Sequence, residues 1–168
     1  DSITATAELG WGLLLAAVRR LPAALAAASR GEWARDRFRG YQLSGKTLGV
    51  LGYGRLGRMT AEYGKAFRMR VIACEVRNVE PPAGIEMVGF DRLLQESDVL
   101  AIHIHLTEEN RGLIDRAAFA EVKPGAVLVN TSRGAIVDEA ALVEALQSGQ
   151  VGAAGLDVID GEWNSDLR

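Results

Sequence analysis

From residue 46 onward the sequence alternates between short aliphatic runs and longer amphipathic segments, and this alternation constrains the fold most. The runs KTLGVLG, RVIACE, DVLAIHIHL, GAVLVN and VGAAGLDV have the length and aliphatic content of buried strands. The segments between them predict helices: RLGRMTAEYGKAF, FDRLLQES, DRAAFAEV and DEAALVEALQSG, with Gly149 as the stop of the last. Strands that alternate with helices pair in parallel through right-handed crossovers. The sequence therefore predicts an α/β fold, a Rossmann-type doubly wound parallel sheet with helices on both faces.

The first 40 residues differ from the rest, because they are rich in alanine and leucine and contain no strand pattern. Arg19, Arg20 and Pro22 interrupt the apolar stretch too early for a membrane span, so we predict two consecutive helices, the second with Pro22 in its first turn. Helices that are apolar on nearly all sides need a partner surface. A contact with another subunit or domain is the interpretation we favour, and the domain's own core is the alternative.

Composition excludes several classes of function. The net charge of -3 and the pI near 5.5 predict no binding to nucleic acid and none to an anionic membrane. One cysteine, Cys74, excludes an intrachain disulfide, and no group of cysteine and histidine has the spacing of a metal site. We therefore expect no metal and a reducing, cytoplasmic location.

The segment GYGRLG joins the first predicted strand to the first helix of the alternating region. Gly52, Gly54 and Gly57 have the GxGxxG spacing, which serves a tight turn, close approach of a pyrophosphate, and close packing of helix on strand. The backbone N–H groups near Arg55 and Leu56 would face the phosphates at the positive end of the helix dipole. The spacing alone also occurs in ordinary glycine-rich turns, but its place between strand and helix favours a dinucleotide site.

The second strand ends in Glu75, at the distance downstream that is expected for the acidic residue of such a site. A carboxylate there accepts hydrogen bonds from both adenosine ribose hydroxyls and repels a 2′-phosphate, so we predict NAD rather than NADP as cofactor. Arg77 complicates this prediction, because a guanidinium can pair with a phosphate; it is otherwise a solvated loop charge.

Further motifs follow the later strands. Taken together, GYGRLG with Glu75, HIHLTEENRGLI, KPGAVLVNTSRGAIVDEAALVEAL and AAGLDV with Glu162 resemble the NAD-binding domain of the D-isomer-specific 2-hydroxyacid dehydrogenase family, and its phosphoglycerate dehydrogenase-like members in particular. The resemblance extends from about Ala7 to Glu162, and the arginine segment is its most specific part. It implies an oxidoreductase that transfers a hydride between NAD(H) and a D-2-hydroxy acid or 2-keto acid, and a homodimer formed through this domain.

The resemblance also implies two catalytic residues. Arg133 stands where the family has the arginine that holds the substrate carboxylate and polarises the keto oxygen, a task suited to the bidentate fork of a guanidinium. Glu162 stands where the family has the glutamate that orients a catalytic histidine and raises its pKa, although it could also be an ordinary loop carboxylate.

Six residues are implied as further cofactor contacts. Asp157 would reach the nicotinamide side, Thr131, Ser132 and Arg133 would lie along the cofactor, and Ile104 and His105 would lie near the adenosine half. The family usually has proline at the position of His105, so the adenosine pocket departs from the family pattern at this residue.

The catalytic histidine of the family has no counterpart here. We interpret His103 as a satisfied, partly buried residue and His105 as a loop residue. We therefore expect that residues 1–168 form one NAD-binding domain, with N-terminal helices over 1–40 and a Rossmann core over 41–168, and that the substrate domain is absent from this chain. Alone it would bind NAD without meaningful turnover.

Two other functions remain open at this point. One is an NAD-sensing regulatory protein of the corepressor type, in which catalytic residues can persist. The other is a formate dehydrogenase, which resembles this sequence less because a glutamine usually stands at the position of Glu162. The identity of the 2-hydroxy acid does not follow from these residues, because the side chains that select it come mostly from the missing domain.

Overall fold

A computed structural model describes residues 2–77, 79–80 and 82–162. Its helices are α1 (Ser2–Val18), α2 (Leu21–Ser29), α3 (Arg55–Ala66), α4 (Phe90–Glu96), α5 (Arg116–Glu121) and α6 (Glu139–Ser148). Its strands are β1 (Thr47–Leu51), β2 (Arg70–Cys74), β3 (Ile85–Met87), β4 (Val99–Ile102), β5 (Ala126–Asn130) and β6 (Val151–Leu156).

All of these strands pair in parallel, in the order β3-β2-β1-β4-β5-β6. The predicted Rossmann-type fold is thereby confirmed. The strand order reverses between β1 and β4, and ligands of open α/β sheets bind beside the carboxyl ends of the strands at such a point. The loops after β1, β4 and β5 are therefore the region where a site is expected.

Helices cover both faces of the sheet, which explains why the central strands are continuously apolar. Every residue of β1, β4 and β5 is buried. Side chains of α1 and α3 pack with one side of these strands, around Trp11, Val50 and Val129. Side chains of α4, α5 and α6 pack with the other side, around Leu93, Phe119 and Leu142.

Two strands differ from the sequence prediction. β3 was not predicted, because three residues at the edge of the sheet are too short for a recognisable pattern. The predicted strand over residues 98–106 ends at Ile102, where its partners also end: Leu51 and Asn130 are the last paired residues beside it. Without neighbouring strands the chain turns away into a loop, although its sequence remains partly apolar.

The two N-terminal helices form as predicted but have different environments. One face of α1 belongs to the domain's own core, with Trp11 buried and stacked on Phe67 at a centroid distance of 4.7 Å. The external partner that we favoured is therefore wrong for this face of α1. In α2 only Ala27 is buried, and Leu25 is 68% exposed. No described helix is by itself long and apolar enough to cross a membrane; α1 and α2 reach that length only as a pair bent by 66°.

Candidate functional site

Three loops meet at the carboxyl edge of the sheet, following β1, β4 and β5. Gly52 has a φ of +94°, and a Cβ atom there would lie 2.8 Å from Cγ2 of Ile104. The hydroxyl of Ser132 donates to the carbonyl oxygen of Ile104 at 2.5 Å. Ile104 therefore lies directly beside both Gly52 and Ser132. All three residues are predicted cofactor contacts.

The glycine segment after β1 has the shape that a dinucleotide needs. A Cβ atom on Gly57 would overlap the carbonyl oxygen of Gly52, so α3 lies directly against the end of β1. Gly54 precedes α3 in an extended conformation, and the first turn of α3 has neither a capping side chain nor an acidic residue. Arg55 is exposed and Leu56 partly exposed. Free N–H groups at a helix start beside glycine fit a pyrophosphate.

Glu75 lies immediately after β2 with its side chain only 7% exposed. Its carboxylate accepts hydrogen bonds from the backbone N–H of Tyr53 at 3.0 Å and from the guanidinium of Arg77 at 3.0 and 3.2 Å. The hydrogen bonds from Arg77 lower the pKa of Glu75 to about 2, against the opposing effect of burial. Glu75 is therefore a fixed, ionised acceptor at physiological pH.

The loop after β5 is organised by Asn130, which sequence reasoning did not identify as a site residue. Asn130 is 1% exposed; its side-chain oxygen accepts from the N–H of Ser132 and its amide donates to the carbonyl oxygen of Arg133, both at 3.0 Å. Its backbone carbonyl accepts from the N–H of Asp157 at 3.0 Å. A polar residue that ends a buried aliphatic run was the signal that could have identified it.

Arg133 is exposed at this edge of the sheet, in an extended conformation that precedes a single helical turn over Gly134–Ile136. Its guanidinium donates to the carbonyl oxygen of Ser132 at 2.7 Å. Among the described residues no carboxylate lies within ion-pair distance of it. An unpaired guanidinium at a sheet edge retains its full capacity to bind an anion.

The loop after β6 lies beside the loop of Arg133. A Cβ atom on Gly134 would overlap the backbone of Ile159 and Asp160, so only glycine permits this approach. Asp157 is exposed directly after β6. Glu162 is partly exposed, and one of its carboxylate oxygens accepts from the N–H of Ile159 at 3.4 Å. This long bond leaves the carboxylate of Glu162 with acceptor sites for another donor.

Thr131 and the two histidines have clear positions. Thr131 is buried with its side chain toward α1, since a Cβ atom on Gly10 would lie 3.6 Å from its Cγ2. Its backbone, rather than its hydroxyl, is therefore the part that can reach a cofactor. His105 is exposed in a loop, as expected, and its carbonyl oxygen accepts from Asn110 at 2.7 Å.

His103 is partly buried, as expected, but it is not satisfied as predicted. Both ring nitrogens are shielded from solvent and have no hydrogen-bond partner among the described residues. Burial lowers the pKa of His103 to about 4. The imidazole is therefore neutral at physiological pH. Because its ring nitrogens are also shielded, it does not fit the role of a proton donor to a substrate.

Three comparisons connect this geometry with known proteins. The sequence matches the family described as D-isomer specific 2-hydroxyacid dehydrogenase, NAD binding domain, over residues 11–167. The glyoxylate reductase of Aeropyrum pernix is 48% identical over an alignment of 168 positions, gaps included, which covers 94% of this chain and 50% of that enzyme. The hydroxypyruvate reductase of Thermotoga maritima is 41% identical over 165 residues, which cover 98% of this chain and 54% of that enzyme.

Solved structures agree with the sequence comparisons. D-lactate dehydrogenase from Aquifex aeolicus, complexed with NAD and lactic acid, has a TM-score of 0.90 and 34% identity, over 96% of this chain and 50% of that chain. The chain therefore spans about half the length of each of these three relatives.

The matched segment includes every loop of the site, and the glycine turn beside the ionised carboxylate of Glu75 fits the cofactor named by the family. NAD is accordingly the cofactor of this domain. On the evidence of fold, loops and sequence identity together, the chain belongs to the D-isomer specific 2-hydroxyacid dehydrogenase family and is its NAD-binding domain.

Proposed function

We propose that this chain is the cofactor domain of a larger NAD-dependent D-2-hydroxyacid dehydrogenase, which reduces a small 2-keto acid and oxidises the corresponding 2-hydroxy acid. Two kinds of observation support this proposal: the family of the chain and the exposed guanidinium of Arg133 at the edge of its sheet. The relatives include reductases of glyoxylate and of hydroxypyruvate, which are small 2-keto acids.

The observation that carries the proposal is the free guanidinium of Arg133. It is exposed beside the loops expected to hold the cofactor, and it lacks a carboxylate partner among the described residues. In the proposed reaction the guanidinium binds the substrate carboxylate, and one of its N–H groups polarises the keto oxygen. Because the backbone of Arg133 is fixed through Asn130, the substrate would be oriented by a prearranged group.

Cofactor contacts are assigned to the residues of the meeting loops. When bound, NAD accepts or supplies the hydride at C4 of its nicotinamide. Gly52, Gly54 and Gly57 would shape the pyrophosphate turn, with the N–H groups near Arg55 and Leu56 as donors, and Glu75 would bind the adenosine ribose. The remaining assigned contacts are Ile104, His105, Thr131, Ser132, Arg133 and Asp157.

A proton donor for this reaction is not provided by either histidine of the described residues. His103 is neutral and shielded, and His105 lies in the loop that we assign to the adenosine half of the cofactor. We assign Glu162 to orient the missing histidine and to raise its pKa. The substrate domain would supply that histidine and the side chains that select the substrate.

The decisive experiment measures turnover of the full-length protein with NADH on glyoxylate, hydroxypyruvate, pyruvate and 3-phosphohydroxypyruvate. We expect kcat/KM of at least about 10⁴ M⁻¹s⁻¹ for one of them, the lower range of ordinary enzymes. Binding of NADH without turnover of any member would contradict the dehydrogenase proposal and favour an NAD-sensing regulatory protein.

We also propose a homodimer, supported by apolar side chains that α2 and the following loop leave in solvent. Leu21, Leu25 and Trp33 are 44%, 68% and 84% exposed, an arrangement typical of an interface. Leu25→Glu should shift the full-length protein toward monomer in sedimentation velocity, whereas Val143→Glu, at a 50% exposed position on α6, should not. A wild-type monomer at tens of micromolar would contradict the proposal.

The cytoplasmic location remains a proposal too. It is supported by the single cysteine and is tested by cell fractionation of the full-length protein.

A further inference from the structure

The carboxylate of Glu75 is fully occupied by hydrogen bonds in the structure. Oε2 accepts from the backbone N–H of Tyr53 at 3.0 Å and from Nη2 of Arg77 at 3.0 Å. Oε1 accepts from the backbone N–H of Arg77 and from its Nε, both at 3.2 Å. A carboxylate has about four acceptor positions, and all of them are used here.

These hydrogen bonds divide into two pairs. The N–H groups of Tyr53 and Arg77 belong to the backbone, so they remain when side chains move. The guanidinium of Arg77 takes the other acceptor position on each oxygen. A ribose diol needs the same two positions, one on each oxygen, for its 2′- and 3′-hydroxyls. The guanidinium and the ribose therefore compete for Glu75.

The Arg77 side chain is free to leave. It is 68% exposed, whereas Glu75 is 7% exposed, and Glu75 is its only ion-pair partner among the described residues. Its Nη2 lies 3.8 Å from where a Cβ atom on Gly54 would be, so the guanidinium lies between the ribose acceptor and the glycine turn. After release from Glu75 it would remain close to the 2′-position of a bound adenosine.

We propose that Arg77 determines cofactor specificity: it is displaced from Glu75 when NAD(H) binds, and it pairs with the 2′-phosphate when NADP(H) binds, so that this domain accepts both nucleotides. The inference rests on nucleotide binding by this domain and not on the 2-keto acid reaction proposed above.

The two nucleotides should respond differently to the loss of this guanidinium. For NAD(H), the ion pair must be broken, but its guanidinium is exposed and the ribose hydroxyls replace it as donors to Glu75, so its removal should tighten binding only by a few-fold. For NADP(H), the 2′-phosphate would lose a charge-assisted and bidentate partner while Glu75 keeps its negative charge beside it. That loss should weaken binding by at least about ten-fold.

The experiment is a titration of the full-length protein with NADH and with NADPH, followed by nucleotide fluorescence. In Arg77→Gln we expect the Kd for NADH to fall about three-fold and the Kd for NADPH to rise at least about ten-fold. Arg116→Gln is the matched control, since Arg116 is 75% exposed and paired with Glu144 on α6. It should leave both values unchanged. Arg77→Lys keeps the positive charge but not the two-point geometry of the guanidinium, so it should weaken the binding of NADPH less than Arg77→Gln does.

A second variant tests the competition itself. Once Glu75→Gln has removed the anionic partner, adding Arg77→Gln should no longer tighten NADH binding. The proposal is overturned if Arg77→Gln shifts the Kd values for both nucleotides in the same direction, or changes the ratio of the two Kd values by less than three-fold. A full-length protein that binds nucleotides but reduces no 2-keto acid would overturn the dehydrogenase proposal and leave this titration valid.

Discussion

Replacing Arg133 by alanine in the full-length protein is expected to lower kcat/KM for the proposed 2-keto acid substrate by about a thousand-fold, or about 4 kcal/mol of transition-state stabilisation. The guanidinium is exposed at the carboxyl edge of the sheet, where it can bind a carboxylate and polarise a keto oxygen together. Alanine removes both interactions and leaves the loop intact, because the backbone of Arg133 is held through Asn130. Steady-state kinetics across substrate concentrations measures the effect.

The conservative variant separates charge from geometry. Arg133→Lys keeps the positive charge but cannot form the planar, two-point contact, so it should recover only part of the loss. Circular dichroism and NADH affinity serve as controls for folding and for the cofactor site. A decrease of less than ten-fold in kcat/KM for Arg133→Ala would show that Arg133 is not the substrate-binding arginine.

The second large effect is expected from Gly57→Ala. The added Cβ atom would overlap the carbonyl oxygen of Gly52, which is backbone and cannot move aside without displacing the turn. Overpacking of this kind costs about 1–3 kcal/mol or more. Because α3 is pushed away from β1, the N–H groups that would face the pyrophosphate also move. We therefore expect a midpoint of thermal unfolding lower by about 4 °C or more and a Kd for NADH at least about ten-fold higher.

Gly12→Ala is the matched control for this substitution. Gly12 lies in α1, and a Cβ atom there would meet nothing within 4 Å. Alanine is the better helix former by about 0.5–1 kcal/mol, so this variant should be equally or more stable and should bind NADH normally. If Gly57→Ala matched the wild-type protein in both measurements, the close approach of α3 to β1 would be unimportant.

The sheet could be predicted because its physical determinants are local. Strands buried on both faces, such as β1 and β5, are aliphatic along their whole length, and amphipathic helices separate them. β3 and the end of β4 could not be predicted, because both depend on which strands lie next to them. The environment of α1 depends in the same way on packing: its apolar face indicates that a partner exists, but not that this partner is the domain's own sheet.

The site was predictable to the extent that it depends on backbone geometry. The close approaches at Gly52 and Gly57 explain the glycine spacing, and they agree with the prediction of a tight turn and close packing. Side-chain interactions could not be predicted from the sequence. Three examples, taken from the described residues, are the double hydrogen bond of Arg77 to Glu75, the burial of the Thr131 hydroxyl, and the unsatisfied ring nitrogens of His103. Each depends on a rotamer or a neighbour that the sequence does not encode locally.

The hydrogen bonds of Asn130 have a consequence for motion. The side-chain amide of Asn130 fixes the backbone at Ser132 and Arg133, and the backbone carbonyl of Asn130 accepts from the N–H of Asp157, without a contribution from any other part of a larger enzyme. If a second domain closes over this one around a hinge, the arginine loop would not need to change its conformation. It would already have the same conformation in the open state, and closure would only have to bring in the proton donor.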